Sequence, residues 1–263
     1  MNLAGRRILL TGATGGLGHA IARRLHQAEA QLVLTGRRTG VLDALAAETG
    51  GRSVAVDLAD LAAVARLAAD HAGVDVLVAN AGLSASGHVL SFGVEEIERA
   101  LAVNLRAPMV LARVIGERMA ERGSGHIVFM SSLNGKAGTL RAAVYSATKF
   151  GLRGFAQGMR QDLHGSGVGV SAVFPGFVRD AGMFAESNTA PPPGAGTVSP
   201  EEVAEAVVRA IERNRGEIDV APARMKLGVA FAGVAPEVAA TVIRASGGAA
   251  VGDRLGATHA PKR

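Results

Sequence analysis

An α/β fold is what this sequence predicts: a doubly wound, mostly parallel sheet with helices on both faces, forming a single domain. Three observations carry that expectation. Short β-branched runs alternate with Ala- and Leu-rich stretches of helical length from Arg7 to Ala221, and such units imply right-handed crossovers into a parallel sheet. The strand runs are apolar without clean alternation, the pattern of strands covered on both faces. Glycines and polar side chains gather directly after the strands, on the rim where ligands bind in such sheets.

Arg7 to Thr11 reads as the first strand, Leu17 to Ala28 as a helix and Gln31 to Thr35 as the second strand. Val41 to Glu48 is a helix, Ser53 to Val56 a strand, Leu61 to His71 a helix and Val74 to Ala79 a strand. A long helical stretch covers Val94 to Arg122, disturbed near Asn104 and Pro108. His126 to Met130 is the next strand, followed by a helix from Tyr145 to Leu163 and a strand from Gly169 to Phe174. Pro200 to Asn214 (helix) and Ile218 to Ala221 (short strand) complete the series. Residues 1–222 are expected to form the cofactor-binding and catalytic body, with a substrate loop at about 180–199. Residues 223–263 form a helical extension and tail of the same domain.

At 263 residues, 48% hydrophobic and only 3% aromatic, the chain can build a substantial core that is aliphatic and rich in Ala and Gly. The absence of cysteine excludes disulfides, Cys-based metal sites and a thiol nucleophile, and is compatible with the cytoplasm, the expected location. Met1 to Leu10 does not read as a secretory signal. The longest late apolar run, Leu227 to Ala235, is too short to span a bilayer. Net charge is +5, but the basic residues are scattered and few aromatics could stack on bases, so nucleic acid is not an expected partner. The seven histidines show no metal-ligand spacing, and no metal is expected. Of those that draw notice, His88, His126 and His164, the first could line a substrate mouth but reads better as an exposed loop residue.

Chemistry gathers at the strand ends. Thr11-Gly12-Ala13-Thr14-Gly15-Gly16-Leu17-Gly18 follows strand one, and such a turn lets backbone approach a pyrophosphate at a helix N-terminus. Strand two ends at Arg37-Arg38 with no acid, which favours the 2′-phosphate of NADP(H) over the bare ribose of NAD(H). Asp57, Asn80-Ala81-Gly82 and Ser131-Ser132 end the next three strands. Tyr145, the only tyrosine, stands four residues before Lys149, one of four lysines. On a helix that spacing places both on one face. An ammonium held there is expected to lower the phenol's pKa from about 10 toward neutrality, making it a proton donor and acceptor.

Together these residues resemble the short-chain dehydrogenase/reductase family over roughly Arg6 to Ala221, a Rossmann-type fold. The glycine segment fits TGxxxGxG through Gly12, Gly16 and Gly18, and also TGxxGxxG of the longer, sugar-modifying branch through Gly12, Gly15 and Gly18. Asn80-Ala81-Gly82 and Ser132, thirteen residues before Tyr145, point to the shorter oxidoreductase branch with its YxxxK. The resemblance implies a catalytic tetrad of Asn104, Ser132, Tyr145 and Lys149. In it Tyr145 is acid or base, Ser132 holds the substrate oxygen, Lys149 tunes the phenol and grips the nicotinamide ribose, and Asn104 holds a relay water. It also implies a cofactor contact set. Arg37, Asp57 and Leu58 lie at the adenine end, Gly12 to Gly18 with Thr14 and Leu17 at the diphosphate, and Asn80, Ala81 and Gly82 at the centre. Pro175, Gly176 and Val178 meet the nicotinamide, with Tyr145 and Lys149 beside it. Asp180 stands where the family often has Thr; an acid beside a diphosphate is unfavourable, so Asp180 is expected to turn away.

Leu83 to Phe92, Leu133 to Arg141 and Ala181 to Val198 are the candidate walls and lid of a substrate site. Met183, Phe184 and Pro191-Pro192-Pro193 make the last segment apolar and stiff. The tail from Lys226 to Val251, with apolar Leu227, Val229, Phe231, Val234, Val238, Val242 and Ile243, is expected to cover the substrate entrance or another subunit. Peripheral contact of this tail with a membrane is a lesser reading, and stable insertion is not expected. The leading function is an NADP(H)-dependent oxidoreductase interconverting an apolar ketone and a secondary alcohol, in a homodimer or homotetramer. Its rivals are a nucleotide-retaining epimerase or dehydratase and a cofactor-sensing protein without turnover.

Overall fold

The structure is a computed structural model that describes residues 1–191, 195–245 and 248–259. Pro192 and Pro193, and the side chains of Ile243 and Val251, lie outside what is described. Seven parallel strands form one sheet in the order β3-β2-β1-β4-β5-β6-β7. They are β1 (Arg7–Leu10), β2 (Gln31–Gly36), β3 (Arg52–Ala55), β4 (Val76–Ala79), β5 (Gly125–Met130), β6 (Val168–Pro175) and β7 (Glu217–Val220). Leu9 stands beside Val33 on one flank and Leu77 on the other. The order reverses between β1 and β4, which opens a crevice at the carboxyl edge.

Apolar side chains leave both faces of these strands, which is why the runs lack alternation. Ile8, Leu10, Val76 and Val128 point to α1 (Gly16–Gln27) and α8 (Pro200–Glu212), meeting Ile21, Leu25, Val203 and Val207. Leu9, Leu77, Ile127 and Phe129 point the other way. They pack on α3 (Leu61–Asp70), α5 (Ala107–Glu121) and α6 (Ala143–Asp162) through Val64, Leu67, Leu111, Ile115 and Leu152. Each fully buried side chain of this size stabilises by about 1.5–3 kcal/mol. His126, at the start of β5, belongs to the core: its ring meets Ser171 Oγ at 2.8 Å, and burial pulls its pKa down to about 3, so it stays neutral.

The stretch expected as one disturbed helix is α4 (Val94–Leu101), a π turn over Ala102–Arg106, and α5. Both expected disturbances fall here: the helix is continuous through Pro108, which has no N–H to return to the turn around Asn104, four residues before it. The widened turn centres on Asn104, as π-bulges at functional sites commonly do. Helix α2 (Thr39–Thr49) ends at Gly50 in the left-handed region. Beyond β6 a short helix α7 (Gly182–Glu186) precedes α8, and after β7 come α9 (Ala223–Val234), α10 (Pro236–Ala245) and α11 (Gly248–His259). Among the described residues no helix is long and apolar enough to cross a membrane.

Candidate active site

A cleft of about 1050 Å³ runs along the carboxyl edge, at the upper end of the range for cofactor and small-molecule sites. At one end lies the turn between β1 and α1. Gly12 has φ +66°, and a Cβ there would stand 2.6 Å from Ala81 Cα; one on Gly18 would stand 2.2 Å from the Gly12 carbonyl oxygen. A Cβ on Gly16 would meet Ala181 Cβ at 2.6 Å, whereas one on Gly15 would meet only the Gly12 oxygen at 3.5 Å. The fold therefore demands glycine at 12, 16 and 18, and Gly15 is left as open backbone lining the cleft. Two strand ends brace the turn. Thr11 Oγ1 accepts from the N–H groups of Asn80 and Ala81 at 3.1 Å each, and Asn80 Nδ2 donates to the Thr11 and Gly12 carbonyls at 3.0 and 3.2 Å. Asn80 lines the cleft, but its amide is spent on holding this loop.

Beside the turn, Arg37 and Arg38 leave β2 exposed, and both line the cleft with Asp57 and Leu58. Arg38, the second arginine of the strand-two end, donates through its guanidinium to the Thr14 carbonyl. Asp57 accepts from Ala59 N–H at 3.0 Å and faces Arg99 at 3.4 Å. Its carboxyl is held below the usual range by that backbone bond, against burial, with help from Arg99 and Arg37. Arg99 was missed by the sequence reading; it lies on α4, far from strand two in sequence.

At the other end, Ser132 follows β5 in extended backbone, and its Oγ accepts from Asn134 N–H at 3.2 Å while the phenol of Tyr145 hydrogen-bonds it. Helix α6 presents Tyr145 and Lys149 on one face, as their spacing predicts. The expected lowering of the phenol's pKa is not what this structure has. Lys149 Nζ donates to the Met130 carbonyl at 2.9 Å and stands 5.6 Å from the centre of the Tyr145 ring. Burial dominates both groups: it pushes the phenol up to about 12, against the Ser132 bond, and pulls the ammonium down to about 8. Asn104 clamps Leu83 with its side chain, accepting from the N–H at 2.7 Å and donating to the carbonyl at 3.0 Å, and also donates to Thr148 Oγ1 at 3.3 Å. A Cβ added at Gly82 would lie 3.5 Å from Asn104 Oδ1 and 3.6 Å from Lys149 Nζ, ordinary contact distances, so Gly82 stands between the two groups without being required to be glycine.

The Lys149 shift has a measurable consequence. Its folded pKa lies below the ordinary 10.5, so between about pH 8 and 10.5 the unfolded chain holds a proton that the folded chain has released. Stability contributed by this group therefore rises with pH across that window and is absent below it. Thermal melting of the wild type is expected to gain on Lys149→Met as pH rises from about 8 toward 10; parallel curves would contradict it.

Pro175, Gly176 and Val178 continue from β6 along the cleft floor, and Val178 bridges to Val198 at the far end of the substrate loop. Asp180 turns away as expected: φ is +64°, the carboxylate is 75% exposed, and it pairs with Arg179. Ala181, Met183 and Phe184 line the cleft, Phe184 stacking on Phe177 with ring centres 4.7 Å apart. Opposite, Lys136 ties the segment after β5 to β7 through Glu217 at 2.7 Å and Asp219 at 2.6 Å. Arg141 of that segment pairs with Asp253 of α11 at 2.6 Å, and Met225 and Val229 of α9 and Leu255 of α11 line this wall of the cleft. His88 is exposed and caps a turn instead of lining the cleft. Among the described residues no group of acids and histidines could hold a metal.

Comparison with known proteins agrees with this geometry. Residues 6–192 match the short chain dehydrogenase family. A ketoacyl reductase, HetN of Nostoc sp., is 39% identical over 227 residues, covering 83% of this chain and 79% of the relative. A short-chain dehydrogenase from Sphingobium yanoikuyae, solved in complex with NADPH, superposes with a TM-score of 0.76 at 28% identity, over 88% of this chain and 96% of that one. The bulky-bulky ketone specific alcohol dehydrogenase from Comamonas testosteroni superposes with a TM-score of 0.75 at 26% identity, over 90% and 95%. With the sheet order, the glycine turn and the Ser132–Tyr145–Lys149 grouping, these matches make the chain an oxidoreductase of the short-chain dehydrogenase/reductase family.

Proposed function

We propose that this enzyme interconverts an apolar ketone and a secondary alcohol with NADP(H). The observation that carries the reading is the phenol of Tyr145, hydrogen-bonded to Ser132 and sharing a helix face with Lys149, at one end of a cleft whose other end is an arginine-flanked glycine turn. A dinucleotide fits the residues present: glycines at 12, 15, 16 and 18 leave the backbone of the turn open to a diphosphate, α1 offers its N-terminus, and no acid stands at the end of β2. When bound, the nicotinamide supplies or takes up a hydride at the carbonyl carbon. Ser132 positions the substrate oxygen, and Tyr145 gives it the phenolic proton in reduction or takes that proton back in oxidation. Lys149 holds the nicotinamide ribose and favours ionisation of the phenol once its charge is turned toward the site. Asn104 fixes the loop after β4 and offers the free lone pair of Oδ1 to a water that relays protons to Lys149.

Arg37 and Arg38 are assigned to the 2′-phosphate. Arg37→Ala is expected to weaken NADPH about tenfold or more, the worth of a hydrogen bond to a charged group, and to leave NADH nearly unchanged. Equal weakening of both cofactors would remove the assignment. The apolar wall of Leu83, Met183, Phe184, Met225 and Val229 suits a ketone with hydrocarbon on both sides, as the names of the ketoacyl and bulky-ketone relatives do. NADPH consumption with a panel of aliphatic, cyclic and sugar ketones tests the whole reading. Turnover of apolar ketones is expected; turnover with sugars alone would reject the substrate class, and binding without turnover would reject the enzyme. We place the enzyme in the cytoplasm, as a homodimer or homotetramer formed through the outer faces of α4–α5 and α6, where Ala147, Phe150, Gly154 and Gly158 are exposed.

A further inference from the structure

Helix α9 is apolar nearly all round, yet none of its residues is buried. A helix of that composition normally lies inside a protein or against lipid. Met225 and Val229 face the cleft, while Leu227, Phe231 and Val234 face outward, 72%, 49% and 86% exposed. Val238 and Val242 of α10 are exposed as well and extend the patch. Large apolar side chains gathered in this way mark an interaction site. Charge identifies the partner. α9 and α10 carry three basic residues, Arg224, Lys226 and Arg244, against Glu237 as their one acid, a net +2. Arg224 and Lys226 open α9, and no acid follows until Glu237. A second copy would bring the same positive charge to the contact, whereas anionic lipid headgroups complement it.

We propose that α9 and α10 form an interfacial docking surface for an anionic lipid bilayer, lying in its plane with Leu227, Phe231 and Val234 among the acyl chains and Arg224 and Lys226 at the headgroups. The ten uncharged residues from Leu227 to Pro236 are far short of the roughly 20 needed to span, so the contact is peripheral. Because α9 is also a wall of the cleft, docking sets the substrate entrance against the bilayer. That an apolar ketone enters from the lipid rests on the function proposed above; the docking itself does not.

Sedimentation of the full chain with vesicles of phosphatidylcholine, with or without phosphatidylglycerol, tests docking without any turnover. Binding to the anionic vesicles is expected, weakened by raised salt. Lys226→Gln should reduce it about fivefold. Leu227→Ser/Phe231→Ser should reduce it by more than about tenfold, from the lost burial of two large apolar side chains, with NADPH binding retained as the measure of an intact fold. Failure of the wild type to bind anionic vesicles, or equal binding by the double variant, would overturn the proposal. So would a shift of that variant from oligomer to monomer in analytical ultracentrifugation, which would make the patch a contact between copies.

Discussion

Tyr145→Phe is expected to lower kcat for ketone reduction by about 10²–10⁴-fold, the range for losing a positioned general acid, while NADPH binds as before. The substitution removes one oxygen and little else. Ser132 keeps its bond from Asn134 N–H at 3.2 Å, so no buried polar group is orphaned. Lys149 keeps its bond to the Met130 carbonyl. An unchanged melting temperature beside a collapsed rate would locate the loss at the phenol. Wild-type-like turnover would mean that another group protonates the substrate, and no second tyrosine exists to do so. In the unliganded protein, titration of the single phenol near 295 nm should show an apparent pKa close to 12.

Gly18→Ala should be nearly as severe for a different reason. Its Cβ would sit 2.2 Å from the Gly12 oxygen and 2.7 Å from Ala13 Cα, both backbone, so no side-chain rotation relieves the clash. Overpacking of this kind costs about 3 kcal/mol or more, a fall of roughly 6–12 °C in melting temperature for a chain of this size. Gly15→Ala is the control. Its Cβ meets only one oxygen at 3.5 Å, so stability should change by less than about 1 kcal/mol, with any loss falling on NADPH affinity. The contrast separates the two spacings that the glycine segment fits, because only TGxxxGxG leaves position 15 free. Equal destabilisation by both substitutions would contradict the packing described.

How much of this could be read from the sequence depends on how local the cause is. The strands were legible because burial on both faces writes continuous apolar runs, as at Ile8-Leu9-Leu10. The break in the long helix was legible at Asn104, but its form was not. A π turn is held by contacts from Leu83 and Thr148 that lie 21 and 44 residues away. The direction of the Tyr145 shift was misjudged for the same reason. The i,i+4 spacing shows that Lys149 shares a face with the phenol, but not that the Met130 carbonyl holds its ammonium. Arg99 escaped notice, and so did the bond of Arg38 to the Thr14 carbonyl, because the partners Asp57 and Thr14 come from other strand ends. The place of α9 and α11 on the cleft depends on the packing of Met225 and Val229 on the core and on the Arg141–Asp253 pair, which no local pattern records.

The central claim is that this enzyme moves a hydride between a nicotinamide and a carbonyl carbon while Tyr145 moves the proton. Turnover of an apolar ketone with NADPH deuterated at the transferring C4 position tests it most directly. The account predicts one deuterium on the carbinol carbon of the product for each NADPH oxidised, with the label lost together with the rate in Tyr145→Phe. A chemically altered substrate with no deuterium and no net NADPH oxidation would contradict it and place the enzyme with the nucleotide-retaining epimerases and dehydratases.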